Sequence, residues 1–502
     1  MALPKCLPVG RTGVRSPAYP RVVNVLFVTL DQFRADSYGA AGHPLVNTPT
    51  LDRIAREGVR LARHYSQAAP CAPGRAALYT GTYQMNNRVV YNGSPLEDRF
   101  DNLARLCRRA GYDPTLFGYT DQGLDPLQAE GPDDPRLDDY DGILPGFSVG
   151  LYLPESQAPW VEWLRDQGFD VPYGWASALR EESSRPAEYS LSGFLTTHFL
   201  AWLERQDSGW CAHLSYLRPH PPYAAAGEYS TRIDPADVSL PLAPSDQRHP
   251  LHEMALASDY ARAPQAEEEI RHLRAQYYGM IDEIDVQLSR VVRAIESRGE
   301  WDDTLVVVTA DHADQLGDHG LIEKLGYFPQ SYHILGLWRD PRRADAGRVL
   351  TQPTENVDLL PSLAVALGLE PPRQADGRVL QTILDDPDAE WRSHVHYEWD
   401  FRFLFINEST PQWPFDRSLS SRNLAVSLGD ETAYVHFGDG EYLAFDLAAD
   451  PTWRTPLHDT DRLMEAQREM LTWRQSHTTR LYTDMLLRPE RPGHWPTLVR
   501  PA

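Results

Sequence analysis

The chain of 502 residues predicts an α/β fold: a large central sheet, mixed but mainly parallel and flanked by helices, with a smaller α+β unit after it. Three observations carry this. Two apolar, β-branched runs, Val22 to Leu30 and Thr304 to Ala310, have the unbroken hydrophobicity of strands covered on both faces. A long helical stripe runs from Glu267 to Arg298, with Ile270, Leu273, Tyr277, Ile281, Ile284, Leu288 and Ile295 on one face. Beyond Trp391 the pattern changes to short alternating runs and a Gly438-Asp439-Gly440 turn, as in antiparallel hairpins. The resulting division is an extension over 1–20, a main α/β domain over 21–390, and a C-terminal α+β subdomain with its tail over 391–502.

The formal charge of -23 argues against a nucleic-acid partner, since phosphate backbones call for concentrated Lys and Arg. Cys6, Cys71, Cys107 and Cys211 are too few and too scattered for a disulfide framework. Residues 1–20 lack an apolar core of signal-peptide type, and no run reaches membrane-spanning length. These features lead us to expect a cytoplasmic protein without a membrane partner.

Taken in order, the first strand ends in Asp31-Gln32. Ligand and metal sites of open α/β sheets lie at the carboxyl ends of strands, so Asp31 is a candidate metal ligand; a loop cap is the alternative. Asn47 to Gly58 carries a cap, an early proline and a closing glycine, and reads as a helix. Pro70-Cys71-Ala72-Pro73-Gly74-Arg75 then leads into a helix-prone run. A cysteine there is a candidate nucleophile, with Arg75 as a cation for an oxyanion; a buried Cys acting as a small hydrophobe is the bland alternative.

Asn102 to Tyr112 is a second amphipathic helix, and Pro114 to Tyr119 a strand that delivers Tyr119, Thr120 and Asp121 to its end. Residues 125–190, rich in Pro, Gly, Asp and Trp, predict an insertion of loops over the sheet. Helix Leu191 to Glu204 leads into strand Trp210 to Tyr216, followed by Arg218-Pro219-His220-Pro221-Pro222. A histidine fixed between prolines suits proton transfer, or is simply a hydrogen-bonded loop residue. The strand from Thr304 ends in Asp311-His312, a ligand pair suited to a transition ion, and Lys324 follows on a loop. A helix opens near Val357 and closes near Gly368; after the hairpin, another spans about 462–475 before a proline-rich tail.

Two strands ending in Asp, the Cys71 segment, one isolated His and one isolated Lys make the expected kit of a metal-assisted hydrolase of anionic esters. Cys71-Ala72-Pro73-Gly74-Arg75, Asp31-Gln32 and Asp311-His312 resemble the formylglycine-dependent sulfatases of the alkaline phosphatase superfamily. Tyr83-Gln84-Met85-Asn86, Gly118-Tyr119-Thr120, Gly317-Asp318-His319, Lys324-Leu325-Gly326-Tyr327 and His396-Tyr397-Glu398-Trp399 bring it closest to phosphonate monoester hydrolases and related arylsulfatases.

The resemblance implies an alkaline phosphatase-like fold. It also implies conversion of Cys71 to formylglycine by a maturation enzyme, and one divalent ion held by Asp31, Gln32, Asp311, His312 and residue 71. Arg75 would hold the nucleophile; Asn92, Tyr119 and Thr120 would bind substrate; His220 or Lys324 would assist leaving-group departure. The substrate would be a small anionic ester: a sulfate monoester, with crossover to phosphonate monoesters and phosphate diesters, or these latter as the primary activity.

Two departures shape the expectation. Calcium sulfatases typically carry Asp-Asp and Asp-Asn where this chain has Asp31-Gln32 and Asp311-His312, which favours manganese, then zinc or iron, over calcium. The usual Gly-Lys-x-His segment is here Gly118-Tyr119-Thr120-Asp121, which loses a cation and adds a carboxylate near the substrate. A homo-oligomer, dimer or tetramer, is also expected. The rivals are a non-catalytic descendant that binds metal, and an ordinary cysteine-nucleophile hydrolase.

Overall fold

The computed structural model describes residues 24–137, 141–245, 248–405, 417–478, 486–488 and 491–494. The extension over 1–20 and the proline-rich end with Trp495 lie outside the described residues.

The central sheet contains β1 (Asn24–Leu30), β2 (Val59–Leu61), β4 (Pro114–Gly118), β5 (Ser148–Tyr152), β6 (Cys211–Tyr216), β7 (Thr304–Thr309), β8 (Gly336–Arg339) and β9 (Arg348–Leu350); β3 (Ala68–Ala69) belongs elsewhere. Its order is β9-β2-β8-β7-β1-β6-β4-β5. All neighbouring pairs are parallel except the two made by β8, so the sheet is mixed and mainly parallel, as predicted. The centre is β7-β1-β6, in register Val28 with Val308 and with Leu214, which aligns three strand ends beside one another.

The alternation of side chains explains why β1 and β7 read as continuous apolar runs. Leu26, Val28, Leu30, Val306 and Val308 enter one core, while Val25, Phe27, Leu305 and Val307 enter the other. Helices α1 (Pro49–Glu57), α6 (Leu191–Leu203) and α7 (Glu267–Ser297) cover the first face. Helices α2 (Cys71–Thr80), α3 (Leu103–Arg109) and α8 (Leu359–Ala366) cover the second. No helix among the described residues is long and apolar enough to cross a membrane.

The insertion departs from the loop reading. It adds β5 to the sheet edge and contains α4 (Ala158–Asp166) and α5 (Trp175–Arg180), with Trp160, Leu164 and Leu179 in the core. Strand β5 is short and faces solvent at Val149 and Gly150, so it shows neither an apolar run nor a clear alternation.

The second sheet has the order β13-β12-β11-β10-β3, from β10 (Val395–Asp400), β11 (Asn423–Leu428), β12 (Thr432–Phe437) and β13 (Tyr442–Asp446). It is antiparallel apart from β3, which pairs parallel to β10 through Glu398 with Ala68 and Trp399 with Ala69. One face packs α9 (Thr460–His477) through Ala466, Met470 and Trp473. The other packs Tyr397, Trp399 and Val426 against Leu325, Tyr327 and Tyr332, the loop that carries Lys324.

Candidate active site

Helix α2 begins at Cys71, immediately after β3, and all ten of its residues are buried. Asn92 Oδ1 accepts from the Ala72 N–H at 3.0 Å, satisfying one of the donors a helix start leaves open. Gly74 lets the helix reach the end of β7: a Cβ there would lie 2.5 Å from the Asp311 carbonyl oxygen and 3.0 Å from that of Ala68. The same contact brings Cys71 to the residues that close β1 and β7.

Asp31, Cys71, Asp311 and His312 are all buried, and each offers one ligand atom within 4.8 Å of the others. His312 Nδ1 donates to the Ala313 carbonyl at 3.2 Å, so its Nε2 presents a lone pair, 3.3 Å from Cys71 Sγ. Burial, then Lys324, holds the imidazole at about 3, hence neutral. Asp31 Oδ2 accepts from Tyr119 at 2.5 Å and Arg75 at 3.0 Å, whereas its Oδ1 is buried without a hydrogen-bond partner. An unpartnered carboxylate oxygen facing a lone-pair nitrogen and a second carboxylate is an arrangement a cation resolves. The residues present therefore fit a divalent ion.

Arg75 organises this cluster from beneath. It is fully buried, donates to Asp31 Oδ2 at 3.0 Å, Asp311 Oδ2 at 2.9 Å and Ser215 Oγ at 2.7 Å, and lies over the Tyr119 ring at 4.1 Å. One guanidinium thus spans two adjacent carboxylates, the geometry its fork suits. Burial works against the Asp31 charge, but the positive charges of Arg75 and Lys324 help outweigh it and keep Asp31 ionised. Burial and then Asp31 push Asp311 upward.

Cys71 itself departs from the thiolate reading. Burial, then Asp31, drives its thiol well above its ordinary value, against the helix dipole. As a thiol it is a poor nucleophile in these surroundings.

On the open side, a cavity of about 440 Å³ is lined by Cys71, Asn92, Tyr119, Asp121, His220 and Lys324, with Tyr91 and Phe403 stacked 4.2 Å apart on its wall. His220 Nδ1 donates to the Pro221 carbonyl at 2.7 Å, so Nε2 accepts from Lys324 Nζ at 2.8 Å. Burial, then Lys324, lowers His220 to about 4. Burial opposes the Lys324 charge, yet Cys71, Tyr260, Glu323 and Asp31 raise its value well above the ordinary one. Lys324 is thus the proton-rich member and His220 the acceptor. Asp121, with backbone in the left-handed region at φ 51°, has an oxygen 3.5 Å from Arg75 Nε; burial, opposed by Arg75, raises it to about 7.

Two expected residues sit differently. Gln32 Oε1, expected to face the metal, accepts from Lys324 Nζ at 3.1 Å, and its Nε2 donates to Asp314 at 2.5 Å and Glu323 at 3.3 Å. Thr120 is fully buried and does not line the cavity: its hydroxyl donates to the Gly142 carbonyl at 2.9 Å and accepts from the Leu144 N–H at 2.8 Å. It ties the strand end to the insertion.

Sequence reasoning missed Ser215, Asp314, Glu323 and Tyr223, whose hydroxyl donates to Asp314 at 2.8 Å. For Ser215 a signal existed: it is the penultimate residue of the strand that leads to His220, next to β1.

Comparison with known proteins accords with this geometry. The family model described as Sulfatase matches residues 23–369. The multifunctional alkaline phosphatase superfamily protein PehA of Trinickia caryophylli is 34% identical, over 93% of this chain and 98% of its own length. The phosphonate monoester hydrolase of Agrobacterium radiobacter superposes with a TM-score of 0.83 at 35% identity, covering 94% of this chain and 100% of that one. That of Silicibacter pomeroyi gives 0.82 at 32% identity, covering 93% and 98%. A family match over more than half its length, joined to relatives alike almost from end to end, makes this chain a member of the sulfatase family, an ester hydrolase of alkaline phosphatase-like fold.

Proposed function

We propose that the chain is a metal- and formylglycine-dependent hydrolase of sulfate monoesters, arylsulfatase-like, that also accepts phosphonate monoesters and phosphate diesters. The observation that carries this reading is the unpartnered Asp31 Oδ1 inside the cluster with Asp311, His312 and Cys71. A divalent ion, manganese before zinc, iron or calcium, would supply Lewis acidity, and the hydrate of formylglycine derived from Cys71 would supply the attacking oxygen.

The chain's own residues do the rest. Asp31, Asp311 and His312 would hold the ion, and Arg75 fixes the two carboxylates. Asn92 has its oxygen engaged by the Ala72 N–H, so its amide NH₂ is the end offered to an ester oxygen. Lys324 places a fixed positive charge in the cavity and, with His220, is positioned to give a proton to the departing oxygen. Asp121 disfavours a doubly charged group, so a phosphate monoester should fare worst.

A second reading, phosphonate monoester or phosphodiester hydrolysis as the primary activity, is favoured by the likeness to phosphonate monoester hydrolases over 93–94% of the chain. Kinetics on matched aryl sulfate, aryl phenylphosphonate and aryl phosphodiester substrates under one condition decide between the two by the ranking of kcat/KM. Peptide mass analysis across Cys71 tests the shared chemistry: an aldehyde is expected, and an intact thiol in fully active enzyme overturns it.

A further inference from the structure

The segment that carries His220 has an unusual accounting problem. Pro219, Pro221 and Pro222 have no N–H, so neighbouring backbone cannot order the segment through a ladder, and its carbonyls need donors from elsewhere. Arg218 supplies them. Its Nη1 donates to the carbonyls of His220 at 2.8 Å and Pro222 at 2.9 Å, which leaves the carbonyl between them, that of Pro221, to accept from His220 Nδ1 at 2.7 Å. The imidazole is thereby held with Nδ1 protonated and the Nε2 lone pair turned to Lys324.

Arg218 is a buried guanidinium, 2% exposed, and among the described residues its ion pair is with Glu182. Glu182 Oε2 accepts from Arg218 Nε at 3.0 Å and from its Nη2, while Glu182 Oε1 accepts from the Leu191 N–H at 2.8 Å. Glu182 is also 2% exposed and belongs to the insertion, in the turn after α5, whose Trp175, Ala176 and Arg180 line the cavity.

We propose that Glu182 is a positioning residue for proton delivery: through Arg218 it sets the ring orientation and tautomer of His220. The insertion then contributes more than a cavity wall, since it fixes the partner of Lys324 without touching the substrate. This rests on the role given to His220 under the proposed function.

The test uses Glu182→Gln, which keeps the volume and removes the charge. In ¹⁵N spectra of histidine-labelled protein, with the His220 signal identified by its loss in His220→Asn, the unaltered protein should show a protonated Nδ1 and a lone-pair Nε2. Glu182→Gln should shift both ring nitrogens toward tautomer averaging; unchanged ring shifts overturn the proposal. Across aryl esters of decreasing leaving-group acidity, Glu182→Gln should lose about tenfold on the poorest leaving group and less than about twofold on the best. In a His220→Asn background it should add nothing further on the poorest. A uniform loss across the series, or an additive loss in that background, overturns the proposal and leaves a merely structural ion pair. If Glu182→Gln does not fold, Glu182→Asp, which keeps the charge at shorter reach, should move both readouts the same way by less, and no movement overturns the proposal. If the unaltered protein hydrolyses none of these esters, the proposed function fails, while the ring spectrum still decides the role of Glu182.

Discussion

The two sides of residue 71 are built on different principles. Toward the sheet, Asp31, Asp311, His312 and Arg75 stand at strand ends and a helix start, at most 1% exposed, with Asp31 Oδ1 the one orphaned atom among their side chains. Toward the cavity, Asn92, Asp121, His220 and Lys324 stand on loops, with Asp121 facing Arg75 and Lys324 beside Glu323. The first side is determined by backbone that cannot move without disturbing the core; the second is adjustable through loops. The difference teaches where a substitution should abolish chemistry and where it should retune it.

The largest effect expected is on the shared atom. Cys71→Ala should reduce turnover by roughly 10⁴-fold or more, with the fold intact, as removal of a nucleophile does. Retention of a tenth of the activity would break the comparison at its centre.

Arg75→Met should come next, because it leaves Asp31 and Asp311 as neighbouring buried carboxylates without their common cation; the cost of breaking such a group is about 3–5 kcal/mol. Loss of bound metal together with a lowered Tm is the expected result. Full metal content at an unchanged Tm would show that the rigid side is not held this way.

Metal removal sharpens the same side. A chelator should abolish activity, and manganese should restore it better than calcium, given an imidazole in the donor set. Stoichiometric calcium in protein purified without added metal would refute that ordering.

On the adjustable side, Asp121→Asn should act through charge. Asp121 is raised to about 7 from 3.8, so the charged form is the disfavoured one. KM for an anionic ester should climb as pH rises from about 6 to 8, and Asp121→Asn should flatten that climb while improving aryl phosphate relative to aryl sulfate. The sign for stability follows: a folded value above the unfolded one contributes stability below about pH 4, lost as pH rises through about 7. An unaltered pH profile in Asp121→Asn would remove Asp121 from the account.

The smallest effect belongs to Thr120. Thr120→Val should cost about 2 kcal/mol of stability from its two buried hydrogen bonds, and change kcat/KM by less than about twofold. A larger kinetic effect would move Thr120 back to the substrate.

What was legible in the sequence follows the same division. Strands β1 and β7 announced themselves because both faces are buried, and Asp31 and Asp311-His312 because they directly follow. The pairing of Cys71 with Arg75 needed only one helical turn. Beyond that reach the signal fades. Ser215 meets Arg75 across 140 residues, Gln32 meets Lys324 across 292, and Glu182 meets Arg218 from inside a segment without periodicity. The likeness to a family put Gln32 at the metal and Thr120 at the substrate, but which way an amide or hydroxyl turns depends on partners such as Asp314 and Gly142 that no local pattern marks.

Strand β3 has a consequence for how the enzyme is made. Ala68 and Ala69, two residues ahead of Cys71, complete their pairing only with Glu398 and Trp399. During synthesis the ribosome must therefore deliver some 330 further residues before the segment can lock, because a contact of such sequence separation forms late. In the folded chain residue 71 is 5% exposed. If Cys71 is converted as proposed, a maturation enzyme would have that interval as its window, and the C-terminal sheet would close it.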